Sequence, residues 1–198
     1  MEKKTIYYLK NNIKGSFLIL FISLTSLLSN AQTVVTVADG SSTLYSIPVE
    51  LYYDYTYTQS IYLQSELGGS AGSISAIQFE YDGYSSGITE NWVVYMAHTS
   101  KTSFSSTTDW VSSGSLTQVF SGSVVTPGDA GFFTITLDNA FSYNNTDNLL
   151  VVVDENSDGY LSSSADYYSL STPESGYRTL TRKRDSYDID PASPGTAS

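Results

Sequence analysis

Six consecutive residues in the last quarter of the chain have the donor pattern of a calcium loop. Asp154-Glu-Asn156-Ser-Asp158-Gly159 places side-chain oxygens at alternate positions ahead of a glycine. Calcium takes hard oxygen ligands, and alternate residues of a tight loop can aim three of them at one point. Asp154, Asn156 and Asp158 are the candidate ligands. The second half of such a loop is missing, because Ala165 stands where a bidentate Glu would close it and Asp166 comes one residue late. The other reading is a hairpin turn in which Asp, Asn and Gly supply turn geometry.

Aromatic side chains form the second group. Tyr52, Tyr53, Tyr55, Tyr57 and Tyr62 crowd one segment, and Trp92 and Trp110 lie further on. Exposed tyrosine and tryptophan rings stack on sugars or peptide segments and offer a hydroxyl or indole N–H as a polar handle. Tyr52, Tyr55, Tyr57 and Trp110 are the candidate ligand contacts. Against this, Tyr53, Tyr55 and Tyr57 alternate along one strand face and can equally be core, and Trp92 reads as core.

Catalytic patterns are sparse. His98 is the single histidine, so a Ser–His–Asp triad would have to use it. No GxSxG elbow, HExxH helix or Gly-rich phosphate loop occurs. Glu66, Glu80, Glu90, Asp109, Glu155 and Glu174 could supply a glycosidase pair only if two of them faced each other. The expectation is a protein that is not an enzyme. Arg182-Lys183-Arg184 is the one concentration of positive charge and reads as a solvated hairpin tip. Asn144-Asn145-Thr146 reads as a turn.

The elements that must hold these residues follow from composition and pattern. The chain has no cysteine among its 198 residues, so neither disulfides nor thiolate chemistry are available. Residues 1–31 have the layout of a cleaved signal peptide. Lys3, Lys4, Lys10 and Lys14 precede an apolar run of about twelve residues, Phe17 to Leu28, and Ser29-Asn30-Ala31 supplies a small-residue cleavage site. That run is short of the ~20 residues a spanning helix needs. The expected product is secreted or on the cell surface, with no membrane insertion after cleavage. It keeps five basic side chains, Lys101, Arg178, Arg182, Lys183 and Arg184, against nineteen carboxylates. Such a surface repels a phosphate backbone, so nucleic acid is excluded as a partner.

Tyr, Ser and Thr are abundant, and Gly, Ser, Asn and Asp turns punctuate the mature chain. About nine strands are expected: 33–38, 60–64, 73–81, 91–99, 116–124, 131–137, 148–154, 167–171 and 177–182. The fold class is all-β, an antiparallel jelly-roll-like β-sandwich over residues 32–188. Residues 189–198, with two prolines, read as a linker-like tail. In 73–81, Ile74 alternates away from the face of Ile77, Phe79 and Tyr81. In 91–99 both faces are largely apolar, which marks a central strand covered on both sides. Leu149 to Val153 mark another buried strand.

Three longer stretches carry a resemblance: Ile47–Leu63 (IPVELYYDYTYTQSIYL), Val94–Trp110 (VYMAHTSKTSFSSTTDW) and Asn144–Asp154 (NNTDNLLVVVD). Together they resemble a β-sandwich module found near the N-terminus of secreted Bacteroidetes multidomain proteins. It typically precedes fibronectin type III-like domains and a C-terminal secretion signal. More distantly they are similar to the jelly-roll modules of cleaved adhesins. The resemblance implies downstream domains in a longer parent protein. It also implies a non-catalytic adhesion or ligand-binding role, with an extracellular glycan or protein as ligand. The alternatives are a structural spacer with no ligand of its own and, third, a secreted hydrolase.

Overall fold

Polar residues at the start of a strand disguise one of the most buried elements of this protein. The computed structural model describes residues 33–37, 42–44, 47–83, 87–159, 167–169 and 177–198. The expected signal peptide, residues 1–31, therefore lies outside the described residues, and the chain from Val35 onward forms one unit. Its elements are β1 (Ser42–Leu44), β2 (Tyr55–Tyr62), the one-turn helix α1 (Gln64–Leu67), β3 (Gly72–Tyr81), β4 (Thr89–Thr99), β5 (Thr117–Val125), β6 (Gly131–Tyr143), β7 (Asn148–Glu155), β8 (Tyr167–Ser169) and β9 (Thr179–Arg184). The protein is all-β. Seven strands have six residues or more, and β1 and β8 have three each. Residues 33–37, expected as a strand, are irregular.

Pairing is antiparallel throughout, in a four-stranded sheet of order β1-β8-β3-β6 and a five-stranded sheet of order β5-β4-β7-β2-β9. The register nests: β4 pairs with β5, β3 with β6, β2 with β7 and β1 with β8. The pairs follow the pattern of one long antiparallel hairpin shared between two sheets, with β9 added beside β2.

The inner face of the five-stranded sheet and the facing side of the other sheet share one hydrophobic cluster. Trp92, Val94, Met96, Val119, Leu149, Val151 and Val153 meet Tyr81, Ile135, Leu137 and Phe141 there. The register of β3 on β6 breaks between Ile74 and Ala76, where two steps along β3 are opposed by five along β6, from Phe141 to Thr136. An irregularity of this kind switches which face a strand presents, and Ile74 packs on the same cluster as Ile77, Phe79 and Tyr81, against the expected alternation.

The outer face of the five-stranded sheet is also covered, as expected for β4 and β7. Tyr57, Ile61, Ala97, Leu150, Val152 and Leu180 form a second cluster with Phe104 from the loop after β4 and Ile189 from the tail. Because both faces of β2 are covered, its polar residues must find partners inside. Thr58 Oγ1 bonds Thr181 Oγ1 at 3.3 Å, and Ser60 bonds Thr179 at 3.0 Å. Gln59 uses both ends of its amide. Nε2 donates to the Tyr57 hydroxyl and the Val111 carbonyl, each at 3.0 Å, and Oε1 accepts the Val111 N–H at 2.8 Å. The Tyr/Thr alternation that opens β2 hides it from a search for apolar runs, so the strand starts well before the expected Ser60.

The loop over this face is braced. Lys101 Nζ meets both carboxylate oxygens of Asp109 at 2.7 Å, and Asp109 also accepts the Ser105 N–H. The Lys101 ammonium and these Ser105 bonds hold the Asp109 carboxyl low, at about 2. The tail lies on the same face. Trp110 Nε1 donates to the Gly195 carbonyl at 2.6 Å and Arg182 donates to the Thr196 carbonyl at 2.7 Å. Ala197 N–H donates to Thr107 and Ser198 N–H to Thr181. Residues 189–198, linker-like in composition, are docked at both ends, by the buried Ile189 and by the bonds of residues 195–198.

Candidate functional site

The four aromatic candidates separate into two pairs. Leu51 is buried and anchors the turn before β2, which leaves Tyr52 half-exposed at 50%. Tyr52 packs edge-on against Tyr53 with ring centroids 5.6 Å apart. Lys183 Nζ lies 5.4 Å from the Tyr53 ring and pairs with the Glu50 carboxylate. Tyr55 opens β2 opposite Arg184 in the register, and the Arg184 guanidinium covers the Tyr187 ring at 4.2 Å. Tyr187 is 56% exposed. The β2–β9 end of the sheet therefore carries Tyr52, Tyr53, Tyr55 and Tyr187 with two cations held against rings. Tyr187 was not picked out in the sequence, and Lys183 and Arg184 were singled out there only as part of a solvated hairpin tip. A tyrosine three residues after Arg184 was the available signal.

Tyr57 and Trp110 sit elsewhere. Tyr57 is fully buried, and burial raises its hydroxyl pKa. Trp110 packs on it at 5.5 Å under the tail. The cause is register: Tyr57 stands in mid-strand on the outer face, where loop and tail cover it, whereas Tyr55 stands at the strand end. Both are packing groups here, not a platform. The basic cluster is likewise no solvated hairpin tip. It is part of β9, with Arg182 bound to the tail, Lys183 to Glu50 and Arg184 to Tyr187.

The calcium-like hexapeptide also divides. Asp154 pairs in register with Tyr57 and Val93 and is 4% exposed. Burial pushes its carboxyl up to about 7, a side-chain hydrogen bond from Asn156 opposes the rise, and the charges of Asp188 and Asp190 add to it. Asp154 Oδ1 and Asn156 Oδ1 are buried and have no hydrogen-bond partner among the described residues. Asp158 is exposed, and its charge reaches Tyr55 rather than Asp154. Gly159 has φ of +118°, as the turn reading requires. Ala165 and Asp166 lie outside the described residues. No group of three or more Asp, Glu or His able to hold a metal occurs among the described residues.

Two of the catalytic carboxylate candidates do meet. Glu155 ends β7 opposite Trp92, with Glu90 two residues before Trp92 on β4. Their side chains are 2% and 6% exposed and hydrogen-bonded to each other. Burial, then the Glu90 carboxyl, push Glu155 well above the carboxylate range, while the Ser157 N–H bonds its Oε1 at 2.6 Å. One shared proton satisfies such a pair. It is sealed from solvent, and a cleft of about 310 Å³ lies instead between β5 and β6, lined by Phe120, Val124, Phe133 and Ile135. His98 Nε2 accepts the Asn144 N–H at 3.1 Å, and its ring packs on Phe141 and Tyr143. Asn144 Oδ1 accepts the N–H groups of Thr146 and Asp147, so 144–147 is the expected turn.

Comparison with known proteins finds no matching family model, no matching curated protein and no matching solved structure.

Proposed function

We propose that this chain is a secreted, non-catalytic ligand-binding module of a bacterial surface protein, a jelly-roll β-sandwich that takes an extracellular glycan or protein at its β2–β9 end. The observation that carries the reading is the cluster of Tyr52, Tyr53, Tyr55 and Tyr187 with Lys183 and Arg184 at that end. Two of these rings are half-exposed, and both cations are already held against aromatic faces. Rings positioned by cations lose little freedom when they stack on a sugar or a peptide. Support for the jelly roll is the nested pairing, each strand of the first half with its mirror in the second. The resemblance to the Bacteroidetes module and the signal-peptide-like start support export.

The test is a glycan and matrix-protein array with residues 32–198, repeated with Tyr52→Ala and Tyr187→Ala. A hit weakened tenfold or more by either change supports the reading. A hit indifferent to both places the ligand elsewhere and overturns the site. One observation favours a second reading, a spacer: the outer face of the five-stranded sheet is occupied by the chain's own loop and tail. A silent array on folded protein selects the spacer.

A further inference from the structure

Two acceptor oxygens at the end of β7 lie buried with nothing to accept from. A carboxylate oxygen out of water and without a donor is strongly disfavoured, so the arrangement needs a counter-charge or a proton. Asp154 and Asn156 stand two apart, on the outer face of the five-stranded sheet, beneath the C-terminal tail. Asp188 comes over them from that tail. Asp188 directly precedes Ile189, which is buried with Tyr57 and Val152 in the outer-face cluster, and Tyr57 is the register partner of Asp154, so the chain brings Asp188 to the same part of the sheet. Asp188 makes no hydrogen bond among the described residues, whereas Asp190 Oδ1 accepts the Ala192 N–H at 2.8 Å.

We infer that Asp154, Asn156 and Asp188 form a site for calcium that clasps the C-terminal tail to the five-stranded sheet. The donors are all hard oxygens, two carboxylate and one amide, with water free to complete the shell. This suits calcium's high and adaptable coordination number. Histidine and thiolate donors, which would favour zinc, are missing from the set. The site differs from the loop the hexapeptide suggests. Asp158, the third residue of the pattern, points to solvent and is replaced by a residue thirty positions later in the chain. The four hydrogen bonds that dock the tail involve residues 195–198. Residues 186–188 are therefore the stretch that a cation would order, with Ile189 already buried beside them. The inference does not depend on the ligand reading above.

The experiment is calorimetric titration of the EDTA-treated protein with CaCl2 at constant ionic strength, with MgCl2 as control. Amide exchange of residues 186–198 is followed in parallel by mass spectrometry. Expected are one calcium per chain, with Kd on the order of 10⁻⁴ M as in extracellular modules, weaker magnesium binding, and slower exchange in the tail. Asp188→Asn, an exposed position where misfolding is not at issue, weakens binding at least tenfold. Asp154→Asn does the same, and Asp158→Asn leaves it within about twofold. Absence of calcium heat together with unchanged tail exchange overturns the site, because a protonated Asp154 then suffices. Loss on Asp158→Asn with no effect of Asp188→Asn overturns it equally, in favour of the local loop.

Discussion

On its inner side the five-stranded sheet meets Tyr81, Ile135, Leu137 and Phe141, all carried by strands of the other sheet. On its outer side it meets Phe104, Trp110 and Ile189, carried by a loop and a tail. The areas are comparable in kind, aromatic and aliphatic, but the means of attachment differ. The inner contacts are fixed by two hydrogen-bonded ladders, so no one of them can leave alone. The outer contacts hang on single bonds such as Trp110 Nε1 to Gly195 and on the Gln59 amide. Local opening is drawn from regions of this second type. Three of the four orphaned polar groups among the described residues also lie there, at Asp154, Asn156 and Arg182.

The largest expected effect strikes the inner side. Trp92→Ala should cost about 3–5 kcal/mol and shift the whole denaturant transition. A transition that split into two phases would show that the faces unfold separately. Ile189→Ala should cost about 2 kcal/mol, the low end for such truncations because the tail can resettle. Its signature is faster amide exchange in residues 100–116 and 186–198 with β4 unchanged, and equal acceleration in β4 would erase the contrast between faces.

Much of this contrast could be read beforehand on one side only. Trp92, Val94 and Met96 alternate with Val93, Tyr95 and Ala97, and Leu149 to Val153 are continuous, so β4 and β7 announce that both their faces are covered. What covers the outer face is not announced. Ser, Thr and Gly in the loop and Pro, Ala and Ser in the tail are the composition of solvent-exposed chain, and they dock through backbone atoms that side-chain patterns do not describe. The register break at Ile74 and the meeting of Glu90 with Glu155 depend on pairing register, which alternation within a single strand cannot supply. At the aromatic end, Tyr52 and Tyr55 were legible because tyrosine density was, whereas Tyr187 joined them only through β9.

Smaller effects sharpen the comparison at its edges. Glu90→Gln should stabilise the fold by about 1 kcal/mol, since a carboxamide donates to Glu155 without needing a shared proton. Thermal melts of both proteins at neutral pH check this, and a loss of stability would refute the pairing. The smallest effect belongs to the loop brace. Asp109 is held below its ordinary value, so its contribution is present above pH 3.8 and is lost as pH falls through about 2. Lys101 and Asp109 are 33% and 25% exposed, which limits the contribution to below about 1 kcal/mol. Asp109→Asn should flatten that part of the acid limb in melts between pH 5 and 2.

The nested strand register also governs how the chain can find its fold. Joining β1 to β8 directly would close a loop containing most of the domain, a large entropic step. Once β4 and β5 have paired, however, the path from β3 to β6 is short-circuited, and each outer pair closes only a small additional loop. The topology thus lets a fold of distant contacts assemble as a succession of near ones, from the middle of the sequence outward. Pulse-labelled amide exchange during refolding should find protection first in β4 and β5, then in β3 and β6, and last in β1 and β8.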